Sequence, residues 1–396
     1  MKRIVVVGAG LAGLVTSTAL AKDGFDVTCV AFGVGGLPLS PDVVESAPSS
    51  CAERSVVAGS ELAHPYAAIG SDAIQTGLEL LLELAGSDLL TGGPETSVML
   101  PTALGGWRPA CLYPPSMAAG ASDGPAVIVG LRGLRDFYPG LIAGNWGGRA
   151  AMVDVAPRTG EATSSPLVFA RFFDTDEGRR ALVKALRPVV QNGETVGLPA
   201  VLGLDDVNAW RKIEDALGQP VFEIPMAPPS VPGWRLNNAL VSAAQAAGVR
   251  FRRGVKAIGV QQADGRATGL VVASAGHPTT LPADAVVLAS GGLKSGGIVM
   301  GDHQQFHEPV MGLPLANVPE APFVADVFAP QPAYLVGVRV DEAMHPLDSD
   351  GNIVCSNVHA VGGLLGGSDR SRELTSGGID VGSAVAAAEA IGGELA

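Results

Sequence analysis

A glycine-rich turn near the N-terminus constrains the fold more than any other feature of the chain. Its pattern is G-x-G-x-x-G, with glycines at Gly8, Gly10 and Gly13. The stretch before it, Arg3 to Val7, is rich in β-branched residues, and Leu11 to Asp23 after it has apolar residues at helical spacing. In such a unit the first glycine permits the turn, the second lets the backbone approach a phosphate and the third lets the helix pack on the strand. The pattern therefore predicts a nucleotide-binding βαβ unit with the phosphate at the helix N-terminus.

The second predicted strand lacks the acid that usually binds the adenosine ribose. This strand is predicted over Phe25 to Val30, and Ala31, Phe32 and Gly33 follow it, whereas Asp26 stands at its other end. A dinucleotide site normally has Asp or Glu at the tip of the second strand. A mononucleotide such as FMN, or an FAD held in an atypical way, therefore fits the sequence better than NAD or conventionally bound FAD.

Composition limits the classes of protein to which the chain can belong. Its 396 residues suit two domains, or one large domain with an insertion, and 47% of them are hydrophobic. The net charge of −13 argues against a nucleic-acid binder and against a protein that docks alone on an anionic membrane. The glycines of the first turn interrupt what would otherwise resemble a signal peptide. No later segment has the ~18 unbroken apolar residues of a membrane span, so the polypeptide is predicted to be soluble.

More glycine pairs follow in the second half of the chain. A buried strand predicted over Ala285 to Ala289 leads into Gly291 and Gly292, after a hairpin predicted around Asp264-Gly265. Gly366-Gly367 and Gly377-Gly378 then precede a predicted C-terminal helix, and such turns are again anion or carbonyl sites. We expect the cofactor to be bound by Gly8, Gly10, Gly13, Gly291, Gly292, Gly366, Gly367, Gly377 and Gly378.

This order of elements predicts an α/β protein with a Rossmann-like flavin-binding fold that the C-terminus completes. A second domain is predicted to be inserted into it. The expected flavin-binding parts are residues 1–45, 236–300 and 346–396, the inserted substrate or partner domain is 46–235, and residues 301–345 are a return excursion.

Cysteine and histidine patterns give no sign of a metal centre. The cysteines Cys29, Cys51, Cys111 and Cys355 form no Cys-x-x-Cys pair, which argues against an iron–sulfur cluster or a zinc site and suits a reduced compartment. His303 and His307 have the i, i+4 spacing of a metal-binding helix face, but no glutamate follows in the metalloprotease pattern. No metal site is predicted.

Segments along nearly the whole chain resemble one family, the B subunits of anaerobic glycerol-3-phosphate dehydrogenase. The most specific are Ala170-Arg171-Phe172-Phe173-Asp174 and Pro228-Pro229-Ser230-Val231. The other matching residues are Gly8 to Gly13, Ala63 to Tyr66, Leu198 to Ala200, Gly233, Arg235 to Asn237, Leu288 to Gly292, Ser295 to Gly297, Glu308-Pro309, Phe328 to Pro332, Gly366-Gly367, Asp369 and Gly377-Gly378.

The resemblance implies FMN as cofactor, an A subunit that carries FAD, and a membrane-bound iron–sulfur C subunit. It implies oxidation of sn-glycerol 3-phosphate to dihydroxyacetone phosphate, with electrons passed to quinone. The chain would then be cytoplasmic and peripheral to the inner face of the cell membrane through its partners. The missing acid agrees with FMN independently. One departure is the stretch Arg370 to Thr375, which is charged where small neutral residues are expected beside a flavin.

Three residues are candidates for the chemistry. A phosphate substrate needs an arginine fork, and Arg171 and Arg235 stand among aromatic and proline residues rather than in an open run of charges. His64 is the candidate base for the hydroxyl proton. Alternatively, each arginine forms a structural salt bridge and His64 is a core histidine. Two other functions stay open: a non-catalytic electron relay or scaffold with substrate oxidation on the A subunit, and a stand-alone flavoprotein reductase.

Overall fold

The computed structural model describes residues 1–40, 43–44, 62–121, 124–155, 157, 164–274 and 276–396. The predicted domain boundary at residue 46 and Cys51 lie outside these residues. Among the described helices, none combines the length and the apolar composition that a membrane crossing needs.

The secondary structure is named in chain order. The strands are β1 (Arg3–Val7), β2 (Asp26–Ala31), β3 (Thr91–Gly92), β4 (Val98–Pro101), β5 (Trp107–Ala110), β6 (Leu112–Tyr113), β7 (Ala126–Leu131), β8 (Arg149–Val153), β9 (Thr195–Pro199), β10 (Val221–Ile224), β11 (Arg250–Arg253), β12 (Ala257–Ala263), β13 (Arg266–Val272), β14 (Thr279–Pro282), β15 (Ala285–Leu288), β16 (Val299–Met300), β17 (Phe306–His307) and β18 (Val358–Ala360). The helices are α1 (Leu11–Lys22), α2 (Tyr66–Ile69), α3 (Ser71–Ala85), α4 (Pro139–Trp146), α5 (Pro166–Phe173), α6 (Asp176–Leu186), α7 (Ala209–Leu217), α8 (Val231–Ala246), α9 (Arg370–Glu373) and α10 (Ser376–Leu395).

The first compact unit contains Met1–Gly36, Glu45–Leu84 and Leu240–Ala396. Its sheet has the strand order β11-β2-β1-β15-β18, and every neighbouring pair is parallel. Strand β18 and helix α10 come from the last part of the chain, so the prediction of an α/β fold that the C-terminus completes is confirmed. Helix α1 is buried along most of its length and contacts α10.

The second compact unit contains Leu37–Val44 and Ala85–Ala239. Its sheet is also parallel, in the order β10-β9-β7-β8. Buried side chains from α5 and α6, such as Phe169, Phe173 and Leu186, form its core together with the sheet. The predicted insertion included the segment that holds α3, whereas Glu45–Leu84 belongs to the first unit. The reason is close packing on α10, because a Cβ on Gly77 would lie 2.6 Å from the carbonyl oxygen of Val381.

A buried ion pair crosses the interior of the second unit. Arg235 donates from Nη1 and Nη2 to the two carboxylate oxygens of Glu223, at 2.7 and 3.0 Å, and from Nε to the carbonyl of Gly203 at 2.7 Å. Glu223 is fully buried and also accepts bonds from the Ser116 hydroxyl and the Leu202 N–H. Each nitrogen of the Arg235 guanidinium and both oxygens of the Glu223 carboxylate therefore have a partner inside the protein.

Removal of one partner from this pair should destabilise the fold. Arg235→Met leaves the Glu223 carboxylate buried without its counter-charge, and we expect a loss of about 3–5 kcal/mol in the free energy of unfolding. The exposed Arg171 on α5 provides the matched control, since Arg171→Met should change the stability by no more than about 0.5 kcal/mol. Urea unfolding of both variants measures the difference. Equal unfolding midpoints for Arg235→Met and the unaltered protein would contradict a structural role for the pair.

Candidate functional site

Two glycines of the first turn are required by the protein's own backbone. Gly8 has φ +116°, and a Cβ there would lie 2.2 Å from the carbonyl oxygen of Ala289. A Cβ on Gly13 would lie 2.0 Å from the carbonyl oxygen of Gly8. No larger residue fits at either position, because backbone atoms cannot move aside as side chains can. The turn between β1 and α1 thus packs directly against the end of β15.

Gly10 differs from both of these glycines. Its φ of −81° and ψ of −174° are open to any residue, and a Cβ there would meet nothing within 4 Å. It is the N-cap of α1 and provides no side-chain cap, so the first N–H groups of the helix receive no hydrogen bond from it. The protein itself therefore does not require glycine at this position, but close approach of a ligand phosphate does.

The later glycine pair meets the last part of the chain at the same edge of the sheet. A Cβ on Gly292 would lie 2.4 Å from the carbonyl oxygen of Gly363, and one on Gly362 would lie 2.7 Å from Cβ of Ala12. Strand β1 lies between β2 and β15. The chain continues from β1 to β2 on one side, and strands β15 and β18 from later in the chain lie on the other side. Open parallel sheets bind their ligands at this kind of switch point, beyond the carboxyl ends of the strands. We call the backbone around Gly8–Gly13, Gly291–Gly292 and Gly362–Gly363 the glycine cradle.

Two polar groups beside the glycine cradle are buried without hydrogen-bond partners in the described structure. They are the hydroxyl of Ser290, which follows β15, and Nε of Arg370. Nη1 of Arg370 would lie 2.5 Å from a Cβ on Gly363, so this guanidinium borders the cradle directly. Buried polar groups are rarely left unpaired in a native protein. Their position fits a polar cofactor such as a flavin, which brings phosphate and carbonyl oxygens.

Two of the three charged residues in the stretch Arg370 to Thr375 are paired with the protein's own groups. Arg370 pairs with Asp380 on α10. Burial raises the pKa of the Asp380 carboxyl, although the guanidinium acts in the opposite direction. Burial also works against the charge of Glu373, but His64, Ser368 and the backbone N–H of Asp369 outweigh it and hold the pKa of that carboxyl below its usual value. The charges that departed from the expected pattern therefore form a local network.

The tip of β2 is cationic rather than acidic. Among the described residues, β2 ends at Ala31 and continues into an exposed Phe32, while Asp26 at the start of the strand pairs with Arg250. The neighbouring strand β11 places Arg252 and Arg253 in register with Val30 and Ala31.

The chain after β2 returns to the first glycine turn. A Cβ on Gly35 would lie 2.4 Å from the carbonyl oxygen of Ala9.

His64 is buried next to the N-terminus of α10. Its Nδ1 accepts a hydrogen bond from the Tyr66 N–H at 3.1 Å, and its Nε2 lies 3.1 Å from a carboxylate oxygen of Glu373. The side chain of Tyr66 packs against the start of α10, where a Cβ on Gly378 would lie 2.1 Å from the tyrosine oxygen. Both ring nitrogens of His64 therefore face protein groups.

A cavity of about 840 Å³ lies beside His64. Its wall includes His64, residues 338–343, Leu365 and Gly366. Arg339 is half-buried in this wall, and its guanidinium makes no ion pair with any residue that the structure describes. Sequence reasoning missed Arg339, because nothing in the residues around it marks it as different from other arginines.

Comparison with known proteins gives a consistent family. Residues 3–379 match the FAD binding domain family. The probable B subunit of anaerobic glycerol-3-phosphate dehydrogenase from Halobacterium salinarum is 30% identical, over 98% of this chain and 97% of the relative. The corresponding proteins from Yersinia pestis and Pectobacterium atrosepticum are 30% and 33% identical and cover at least 98% of both chains. The chain belongs to the family of anaerobic glycerol-3-phosphate dehydrogenase B subunits. It is therefore a flavin-dependent oxidoreductase, and the family resemblance drawn from the sequence is confirmed.

The other predicted flavin-binding glycines have different surroundings. Gly366 packs on Gly337, where a Cβ would lie 2.9 Å from Cα of Gly337, and Gly367 has φ +93°. Gly377 and Gly378 do not precede the C-terminal helix as predicted but lie in the first turn of α10, where Tyr66 packs against Gly378. Direct contact of these four glycines with the flavin stays a prediction.

The predicted catalytic residues fall in both compact units. His64 belongs to the first unit, whereas Arg171 and Arg235 belong to the second. Arg171 is exposed on α5, and the guanidinium of Arg235 is used by Glu223 and Gly203. The roles predicted for these three residues stay predictions.

Flavin retention should depend on Gly10. We expect Gly10→Val to leave the secondary structure unchanged and to remove nearly all bound flavin, because the side chain would occupy the space for the phosphate. Gly144→Val on α4 in the second unit is the control for loss of a glycine, since a Cβ on Gly144 also meets nothing within 4 Å and its φ is not positive. The ratio of visible flavin absorbance to protein in each purified variant gives the answer. A Gly10→Val protein with its full flavin content would show that the cofactor does not approach this turn.

Proposed function

We propose that the chain is the flavoprotein B subunit of an anaerobic glycerol-3-phosphate dehydrogenase. In this role it oxidises sn-glycerol 3-phosphate to dihydroxyacetone phosphate, and partner subunits pass the electrons to quinone. Relatives that carry this name match over nearly their full lengths. Among this chain's own residues, the main support for the proposal is the cavity whose wall contains both His64 and Arg339.

The cofactor in this proposal is FMN. Its support is the tip of β2, where a dinucleotide site would need a carboxylate and where Arg252 and Arg253 stand in register instead. An adenosine ribose finds no acceptor there among the described residues, whereas the single phosphate of a mononucleotide needs only the helix N-terminus at Gly10. The family match names FAD, so FAD held without the ribose acid is the alternative.

The side chains around the cavity can bind the phosphate of a phosphorylated alcohol and remove its hydroxyl proton. When bound, the flavin would provide the acceptor for the two electrons of the oxidation. Arg339 supplies a guanidinium for the phosphate dianion, and a partly desolvated site strengthens this contact. His64 is the base for the hydroxyl proton, with the Glu373 carboxylate oriented to stabilise the imidazolium. Because Nδ1 accepts the Tyr66 N–H, a neutral His64 carries its proton on Nε2, and it can take up the substrate proton on Nδ1 only after the 3.1 Å contact with the Tyr66 N–H opens.

In this proposal the electrons leave the chain through partner subunits. The chain's relatives are named as B subunits, and a FAD-carrying A subunit and a membrane-bound iron–sulfur C subunit are the proposed partners. The described cysteines Cys29, Cys111 and Cys355 are all buried, and burial raises the pKa of the Cys29 thiol to about 11. These cysteines do not suit cluster binding. The proposed location is the cytoplasmic face of the cell membrane, reached through the partners.

An electron-relay function is the second candidate. The guanidinium of Arg235, one of the two phosphate-binding residues predicted from the sequence, is held by Glu223 and Gly203 in the interior of the second unit. If Arg339 does not bind the phosphate either, substrate oxidation belongs to the A subunit, and this chain only transfers electrons.

The function is tested by the released cofactor and by anaerobic reduction. Denaturation should release FMN, and release of stoichiometric FAD or NAD would contradict the proposed cofactor. In the assembled complex glycerol 3-phosphate should bleach the flavin of this chain, even when the flavin of the A subunit has been removed. The isolated chain should not reduce quinone with glycerol 3-phosphate. Bleaching that always requires the flavin of the A subunit would favour the relay function.

Arg339 should control the affinity for the substrate phosphate. We expect Arg339→Gln to raise the Michaelis constant for glycerol 3-phosphate roughly ten- to a hundred-fold, because a charge-assisted contact is worth about 1.5–3 kcal/mol. Arg339→Lys should restore only part of it, since an ammonium group cannot form the planar fork. The exposed Arg180 provides a control for loss of one positive charge.

Arg171→Lys, measured beside these variants in the reconstituted complex, tests the candidate taken from the sequence. Unchanged kinetics in Arg339→Gln with full flavin content would exclude Arg339 from the phosphate site.

A further inference from the structure

Three side chains from distant parts of the chain converge at one point of the first unit. His345 follows the cavity wall, His359 lies in the edge strand β18, and Glu394 lies near the end of α10. One ligand atom from each, two imidazole nitrogens and a carboxylate oxygen, all lie within 4.8 Å of one another. The two imidazole rings face each other with centroids 4.7 Å apart and planes inclined by 34°.

The tautomer of both imidazoles follows from their other nitrogens. Nδ1 of His345 lies 3.0 Å from a carboxylate oxygen of Asp341, and Nδ1 of His359 lies 2.9 Å from the carbonyl oxygen of Ala343. A carbonyl oxygen and a carboxylate oxygen both accept hydrogen bonds, so these contacts place the proton of each ring on Nδ1. Each neutral imidazole therefore presents the lone pair of Nε2 toward Glu394. Histidines that bind metals are held in this way, with the second nitrogen donating to a carboxylate or a carbonyl.

Without a cation this arrangement is unfavourable. The two histidines are at least nine-tenths buried, and neither Nε2 has an aligned hydrogen bond in the described structure. Two neutral rings would direct lone pairs at a carboxylate. Two protonated rings would instead bury two like charges next to each other. One protonated ring would pair with Glu394 but leave the other Nε2 without a partner, whereas one divalent cation between the three groups satisfies both imidazoles.

The two distances to Glu394 are close to those of a small tetrahedral centre, and the three ligand atoms lie within 4.8 Å of one another. Nε2 of His345 lies 3.0 Å from one oxygen of Glu394, and Nε2 of His359 lies 3.6 Å from the other. Zinc bonds to nitrogen and oxygen are about 2.0–2.1 Å, which separates neighbouring ligand atoms of a tetrahedron by about 3.3 Å. The Glu394 side chain is 31% exposed, so the fourth position can be taken by water. Two imidazoles with one carboxylate favour zinc over magnesium or calcium, which prefer oxygen ligands.

We propose that His345, His359 and Glu394 bind a zinc ion, and that Asp341 and Ala343 hold the two imidazoles in position for it. The ion would join the C-terminal helix to the edge strand and to the cavity wall, because Asp341 and Ala343 are both wall residues. The proposal concerns neither the flavin nor the substrate and stands apart from the proposed function.

Metal content tests the zinc site directly. Full-length protein produced with added zinc and then desalted should contain about one zinc per chain by elemental mass spectrometry. Glu394→Gln and His359→Gln should lose it. Glu389→Gln on the same helix and the double variant His303→Gln with His307→Gln should keep it, since these residues are exposed and lie outside the cluster. Flavin content and circular dichroism confirm that each variant is folded.

A second measurement keeps the test decisive if a histidine variant does not fold. Zinc chloride should raise the melting temperature of the unaltered, metal-stripped protein but not that of Glu394→Gln, whose side chain is partly exposed. Asp341→Asn should weaken zinc binding about 10- to 100-fold in chelator competition, as expected of a residue that positions a ligand. A protein that neither retains zinc nor is stabilised by it, or a Glu394→Gln variant that binds it as tightly, would overturn the proposal.

Discussion

The close approach of Gly8 to the carbonyl of Ala289 is the contact on which the rest of the candidate site depends. It joins the turn after β1 to the end of β15 with no room for a side chain between them. Since β1 and β15 are parallel neighbours, their carboxyl ends open together at the switch point of the sheet. The same edge receives Gly362 and Gly363 after β18, so three strand ends meet there through backbone rather than side chains. A cradle of this kind binds through N–H groups and is selective for shape and negative charge.

The three glycines of the fingerprint have separate physical origins. Gly8 is required by its positive φ, and Gly13 is required by the backbone packed against it. Gly10 has an ordinary conformation, and a Cβ there would meet nothing within 4 Å. Of the three, only Gly10 is not required by the protein's own structure, so only Gly10 indicates a bound ligand. This distinction also explains why the fingerprint alone does not name the cofactor. The proposed choice of a mononucleotide rests instead on the tip of β2, where arginines of β11 stand in register and, among the described residues, no carboxylate does.

Sequence reasoning succeeded where the determining interactions are local. The βαβ unit follows from β-branched spacing and turn glycines, and the hairpin predicted at Asp264-Gly265 is present, with φ +50° and +74° as this turn requires. It could not anticipate the partners of Arg235 or His64. Glu223 and Glu373 meet them through tertiary packing, and in the sequence a buried arginine looks like an arginine free to bind phosphate. Sequence reasoning also missed Arg339 and the cluster of His345, His359 and Glu394, because no short motif joins residues so far apart.

Helix α10 connects these features along its length. Its first turn packs on Tyr66 next to His64, Asp380 pairs with Arg370 at the cradle, and the Ser383 hydroxyl accepts the N–H of Gly362. Near its end, Glu394 faces the two buried histidines. At a rise of about 1.5 Å per residue this helix of 20 residues is about 30 Å long, so one element reaches all four contacts. The glycine cradle and the His64 pair are thus positioned by one element that comes from the very end of the chain. For this reason we expect the C-terminal residues to matter for the cofactor site although they stand far from the fingerprint in the sequence.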